Sequence, residues 1–179
     1  GVNVGPREGV LASCLERLDV LYREHGAKVS LVGWSLGGLF ARALAKAAPE
    51  QVRVVVTLGT PIGGFPKPAE LWRMAERATG IPIGMPDSLG PLEEPPPVPT
   101  TSIYSRSDGI VHWRCSVERP GPFTENLEVE SSHLGLGVNP LALYAVADRL
   151  AQPEGAWRPF ERHGIKAWLY RDPQRRGWF

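Results

Sequence analysis

The 179-residue chain holds only two cysteines, Cys14 and Cys115. So few, placed so far apart, exclude a disulfide scaffold and a cysteine-based zinc motif. A single Cys14–Cys115 bridge stays open, although the apolar pattern around Cys14 places it on the buried face of a helix. No apolar run approaches the roughly 18 residues that a membrane-spanning helix needs. Charge of one sign is also lacking. Twenty basic against nineteen acidic residues leave a net charge of +1, so no strong field points to nucleic acid or to an acidic partner. The chain opens on Gly1 rather than Met, shows no signal-peptide pattern, and gives no reading of localisation. There are no internal repeats. What is present is an ordinary hydrophobic fraction of 42%, enough chain for one domain with a sizeable core, and an unusual amount of proline.

Residues 7–25 carry Val10, Leu11, Cys14, Leu15, Leu18, Leu21 and Tyr22 at i, i+3, i+4, i+7 spacing. The pattern predicts an amphipathic helix, with Pro6 before it, Gly26 as a left-handed cap and His25 in a last turn that favours a cation. The β-branched run 28–33 predicts a buried strand, 36–48 a helix stopped by Pro49, and the Val/Leu run 52–58 a strand covered on both faces. Helix, strand, helix, strand in this order predicts an α/β fold: a mainly parallel sheet flanked by helices. Proline then concentrates in an excursion over 62–100 that reads as a lid or cap, or else as an irregular loop, with one short helix near 69–78. The α/β pattern resumes with strands at 101–105 and 126–130 and a helix at 140–151, Pro140 in its first turn. The expected organisation is a core over 1–151 and a C-terminal tail over 152–179. The tail carries Trp157, Phe160, Trp168, Tyr170, Trp178 and Phe179 without clear periodicity.

Gly33-Trp34-Ser35-Leu36-Gly37 matches G-x-S-x-G between a predicted strand and a predicted helix. On such a sharp strand–helix turn a serine hydroxyl is pushed above the sheet, because the flanking glycines carry no Cβ to collide with neighbours. The turn also aims the backbone N–H of Leu36 at a reacting carbonyl oxygen, as one oxyanion-hole donor. A phosphate-binding glycine turn is the rival, but the G-x-G-x-x-G and G-K-[ST] spacings are absent. A serine needs a base, and the base a carboxylate to orient it. His133, in the small-residue loop after the strand 126–130, is the best-placed base. Asp108, in the loop after the strand 101–105, is the best-placed acid. Asp87 lies in the proline-rich excursion and Asp148 inside a helix. His112 is a rival base or a wall of the site. As an Asp-Gly turn, Asp108 also has a purely structural reading.

GWSLGG, LGTPIGG (58–64), YSRSDGIV (104–111) and SSHLGLGVNP (131–140), in this order, resemble the lipase and esterase branch of the α/β-hydrolase superfamily. The resemblance implies Ser35 as nucleophile, Asp108 as acid, His133 as base, and a small-molecule or lipid ester as substrate. It implies chemistry that needs no metal and no organic cofactor. Trp34, Trp72 and His112 are candidate substrate-binding residues, and Leu71, Trp72, Met74, Ile81 and Ile83 would suit an acyl chain. An acyltransferase or thioesterase on the same triad is the alternative, as is a catalytically inactive fragment. The superfamily places several strands before the serine turn and draws a second oxyanion donor from an early H-G or P-G loop. Residues 1–27 contain neither, so the expectation is an α/β-hydrolase fold lacking its first strands, in a chain truncated on its N-terminal side.

Overall fold

The valine run beyond Pro49 is strand β2 (Val52–Leu58), buried at every position but Arg53. The structure, a computed structural model, describes residues 10–63 and 91–171. It begins with α1 (Val10–His25), β1 (Val29–Trp34), α2 (Leu36–Ala47) and β2. These are followed by β3 (Thr100–Tyr104), β4 (Thr124–Glu128), α3 (Pro140–Ala151) and the short α4 (Ile165–Leu169). The four strands form one all-parallel sheet in the order β1-β2-β3-β4.

Both faces of the sheet are covered, as the unbroken apolar character of β2 requires. Val54, Val56 and Leu58 pack with Ile103, Leu127, Ala142 and Ala145 on the α3 side. Val55 packs with Leu18, Leu44 and Ala45 on the α1–α2 side. Strand β1 differs. Its Val32 and Trp34 are exposed, and its one partner among the described residues is β2.

Within the described residues the expected elements stand, with ends moved by one or two residues; residues 7–9 of the expected first helix lie outside them. Gly26 closes α1 in the left-handed region (φ 59), its N–H bonded to the Tyr22 carbonyl. Asn139 caps α3 by accepting from the N–H groups of Leu141 and Ala142, with Pro140 in the first turn. Strand β3 ends at Tyr104 rather than 105, because the Ser105 hydroxyl folds back to accept from the Ser107 N–H and starts a turn. Strand β4 spans 124–128 rather than 126–130. The expected helix at 69–78, and most of the proline-rich excursion, lie outside the described residues.

Two anchors were not visible in the pattern. Arg42 of α2, fully buried, pairs with Glu118 and donates to the carbonyls of Leu92 and Glu94. It ties the serine-bearing helix to the chain returning from the excursion. In the tail, Phe160 and Tyr170 are buried in the core beside Leu136 and Ala142, whereas Trp168 is exposed. The Tyr170 hydroxyl donates to the Leu141 carbonyl, and burial pushes its pKa up to about 12. Cys14 and Cys115 are not joined in a disulfide. Among the described residues no helix is long and apolar enough to cross a membrane.

Candidate active site

Four backbone segments leave the sheet side by side at the carboxyl ends of its strands. The Ser35 N–H bonds the Leu58 carbonyl, the Gly59 N–H bonds Ile103, and the Val129 N–H bonds Tyr104. Each of these bonds continues the ladder one step past a strand end. The loops carrying Ser35, Asp108 and His133 therefore all start from the same edge, where open parallel sheets bind their ligands.

Ser35 is the one non-glycine residue with positive φ among those described, at φ 53 and ψ −124. Such backbone is costly for an L-residue and persists where the surroundings enforce it. The enforcement comes from close packing of glycines. A Cβ on Gly33 would lie 2.4 Å from the Gly38 Cα, and one on Gly38 would lie 1.9 Å from the Thr60 hydroxyl oxygen. Gly37 has open space instead. The expectation that Gly37 flanks a close approach is thus corrected: the glycine beyond the motif, Gly38, lets α2 press against the β2 end. Leu36 is the first residue of α2, so its N–H is one of the first-turn donors without an intrahelical partner.

Asp108 and His133 meet in a buried pair. The Asp108 Oδ2 lies 2.6 Å from the His133 Nδ1, with side-chain exposures of 2% and 5%. A carboxylate only accepts, so this contact assigns the proton to Nδ1 and leaves Nε2 as the free acceptor. The other carboxylate oxygen, Oδ1, accepts from the N–H groups of Ile110 and Val111 at 2.9 and 2.8 Å. Both oxygens of Asp108 are therefore fixed.

No hydrogen bond joins Ser35 to His133 among the described residues. The serine turn and His133 are linked through Trp34, whose indole N–H donates to the His133 carbonyl at 3.1 Å, the two ring centroids 5.4 Å apart. His112 is exposed and stacks on Trp113, while Asp108 pairs with His133. Trp72 lies outside the described residues, as do Leu71, Met74, Ile81 and Ile83.

Gly59 was not singled out from the sequence, although it stands inside LGTPIGG. It sits in the left-handed region at φ 54, under the Asp108–His133 pair. A Cβ there would lie 2.8 Å from the Leu136 Cδ1, 3.0 Å from the Asp108 Oδ2 and 3.3 Å from the His133 Nδ1. Gly59→Ala should cost about 1–2 kcal/mol through backbone strain alone. It should also push the pair apart, with a loss of activity of up to about 100-fold. Parallel thermal melts and turnover measurements check this, and an alanine variant with full activity would refute it.

With this geometry in hand, similar solved structures identify the architecture. The chain superposes on a monoacylglycerol lipase of Paleococcus ferrophilus with a TM-score of 0.51 and 19% identity, over 69% of this chain and 66% of the lipase. It superposes on MGS-MChE2, an α/β-hydrolase enzyme from the metagenome of lagoon sediments at Mar Chica, Morocco, with a TM-score of 0.53 and 17% identity, over 78% and 68% of the two chains. A lipase-esterase related protein of Clostridium acetobutylicum gives 0.52 and 15%, over 83% and 78%. This is the α/β-hydrolase fold. The chain spans just under two thirds of the length of the Paleococcus lipase. No protein-family model and no curated protein matches it. In an α/β-hydrolase fold the chemistry resides in the loops at the strand ends, so identities this low leave the activity to be argued from those loops.

Proposed function

We propose that this chain is a serine hydrolase acting on carboxylic esters, with Ser35 as nucleophile, His133 as base and Asp108 as the acid that orients it. The observation that carries this reading is the buried 2.6 Å Asp108–His133 contact beside a serine held at φ 53. Such strain, together with a carboxylate whose three contacts all serve one orientation, has no evident use in packing. His133 Nε2 takes the Ser35 proton as Oγ attacks the ester carbonyl carbon. The Leu36 N–H receives the oxyanion, aided by the positive end of the α2 dipole. The C–O bond to the alcohol breaks and Nε2 gives its proton to the departing oxygen. Water, deprotonated by the same nitrogen, then attacks the acyl carbon; the bond to Oγ breaks, the acid leaves, and Nε2 returns the proton to Ser35. Asp108 stays ionised throughout; it holds the imidazole and stabilises its charged form.

The rim of the site favours an ester with an apolar part. Ile110 lies two residues after Asp108 and Leu134 directly after His133, both 69% exposed, and Val138, in the same loop as Leu134, is 74% exposed. Large apolar side chains left in water next to polar chemistry mark a surface made to be covered.

The reading is tested with a fluorophosphonate probe on the folded chain, the adduct being located by peptide mass spectrometry. The expected adduct is on Ser35. A folded chain with no adduct on Ser35 overturns the proposal. Product analysis with an ester plus an added alcohol or amine separates hydrolysis from acyl transfer.

A further inference from the structure

We propose that Ser105 is a positioning residue that sets the distance between the acid and the base. The proposal rests on the reading of Asp108 and His133 given above. Strands β3 and β4 stop pairing just below the site, and the Val129 N–H to Tyr104 carbonyl bond continues their ladder one step further. Above it the chains diverge into two loops, 105–111 and 130–138. Ser105 lies at the fork and is completely buried. Its Oγ accepts from the Ser107 N–H at 3.1 Å, within the acid loop. The same oxygen accepts from the Ser131 N–H at 3.0 Å, in the base loop. One atom thus joins both loops, three residues before Asp108 and beside the residue two before His133.

Among the described residues, Arg106 of the acid loop pairs at 2.9 Å with Glu128 at the end of β4, below the base loop. Ser107 contacts Glu130 through side chains that are exposed. Asp108 contacts His133 directly, and that is the contact to be positioned. An exposed hydrogen bond exchanges readily with water, whereas both bonds to Ser105 end on the oxygen of a completely buried residue. Removing the Ser105 oxygen orphans two N–H groups at once, one in each loop. The loops then relax toward solvent to satisfy them, and the imidazole moves relative to both Asp108 and Ser35. A displacement of about 1 Å at a reacting group costs up to about 100-fold in rate.

The test uses the full chain with Ser105→Ala, Ser105→Thr and, in case alanine does not fold, Ser105→Cys, which keeps the volume but offers a poor acceptor. Two readouts are taken on samples with native circular dichroism. One is the rate of Ser35 labelling by a fluorophosphonate. The other is the far-downfield proton NMR signal of the Asp108–His133 hydrogen bond, assigned by its loss in Asp108→Asn. The expected result is labelling slowed by about 10- to 100-fold in Ser105→Ala or Ser105→Cys, with the downfield signal broadened or lost and both restored in Ser105→Thr. Wild-type labelling rates in the alanine or cysteine variant overturn the proposal. So does slowed labelling with an intact downfield signal, which marks a general structural defect. If the wild-type chain is not labelled, the nucleophile assignment fails, and the downfield signal alone then decides for or against Ser105.

Discussion

Ser35→Ala should lower kcat for an activated ester by about 10⁶-fold and leave the melting temperature unchanged. The size follows from how serine hydrolases behave on unrelated folds. Removing the nucleophile alone costs about as much as removing the whole triad, because base and acid have nothing left to activate. The stability expectation follows from the contacts of Ser35. Its N–H bonds Leu58 and its carbonyl accepts from Gly38, both through the backbone, and its side chain makes no capping bond to α2. Alanine keeps all of this. The left-handed conformation costs alanine much what it costs serine, so that strain cancels between the two proteins. The comparison is therefore one of chemistry. A second consequence is non-additivity: Ser35→Ala combined with Asp108→Asn should be no slower than Ser35→Ala alone. Steady-state kinetics on the three variants, with labelling to exclude a contaminating hydrolase, checks both points. If Ser35→Ala retained a tenth of the activity, a different group would be the nucleophile.

Much of this site is legible in the sequence because its parts are local. A valine run reports a doubly covered strand, and a serine between glycines at a strand–helix junction reports a strained turn. An aspartate and a histidine in successive strand-end loops report a common edge, since parallel strands all end on the same side. What the sequence conceals depends on contacts between distant segments. Gly59 is an unremarked glycine until Leu136, Asp108 and His133 close over it. Gly37 and Gly38 are adjacent glycines at the start of one helix, and only the approach of Thr60 to Gly38 tells them apart. Arg42 lies in a helix whose periodicity cannot show that a buried Glu118 and two carbonyls await it. Trp34 reads from the sequence as a candidate substrate-binding residue, and nothing there shows that its indole N–H donates to the carbonyl of His133. The tail hid Phe160 and Tyr170 because core anchors spaced singly leave no period to read.

Asp108→Asn should retain the fold and lose about 10⁴ in kcat. The structure gives the reason atom by atom. Oδ1 of Asp108 accepts two backbone N–H groups, from Ile110 and Val111. An asparagine must keep its carbonyl oxygen there, since turning the amide over would set its NH₂ against two donors. Its nitrogen is then forced to the position of Oδ2, 2.6 Å from the His133 Nδ1. Two donors cannot share that contact. Nδ1 must become the acceptor, and the imidazole proton moves to Nε2. Nε2 is the nitrogen that has to receive the Ser35 proton, so the base is present, in place and in the wrong tautomer. The variant should therefore fall in kcat with little change in KM, because no group facing the substrate has moved. The two turn hydrogen bonds survive, and the melting temperature should fall by only a few degrees. Asp108→Ala provides the contrast: it loses the turn bonds as well, and should be both slow and markedly less stable. Near-wild-type turnover in a folded Asp108→Asn protein would mean that another carboxylate orients His133, and with it the assignment of the acid would fall.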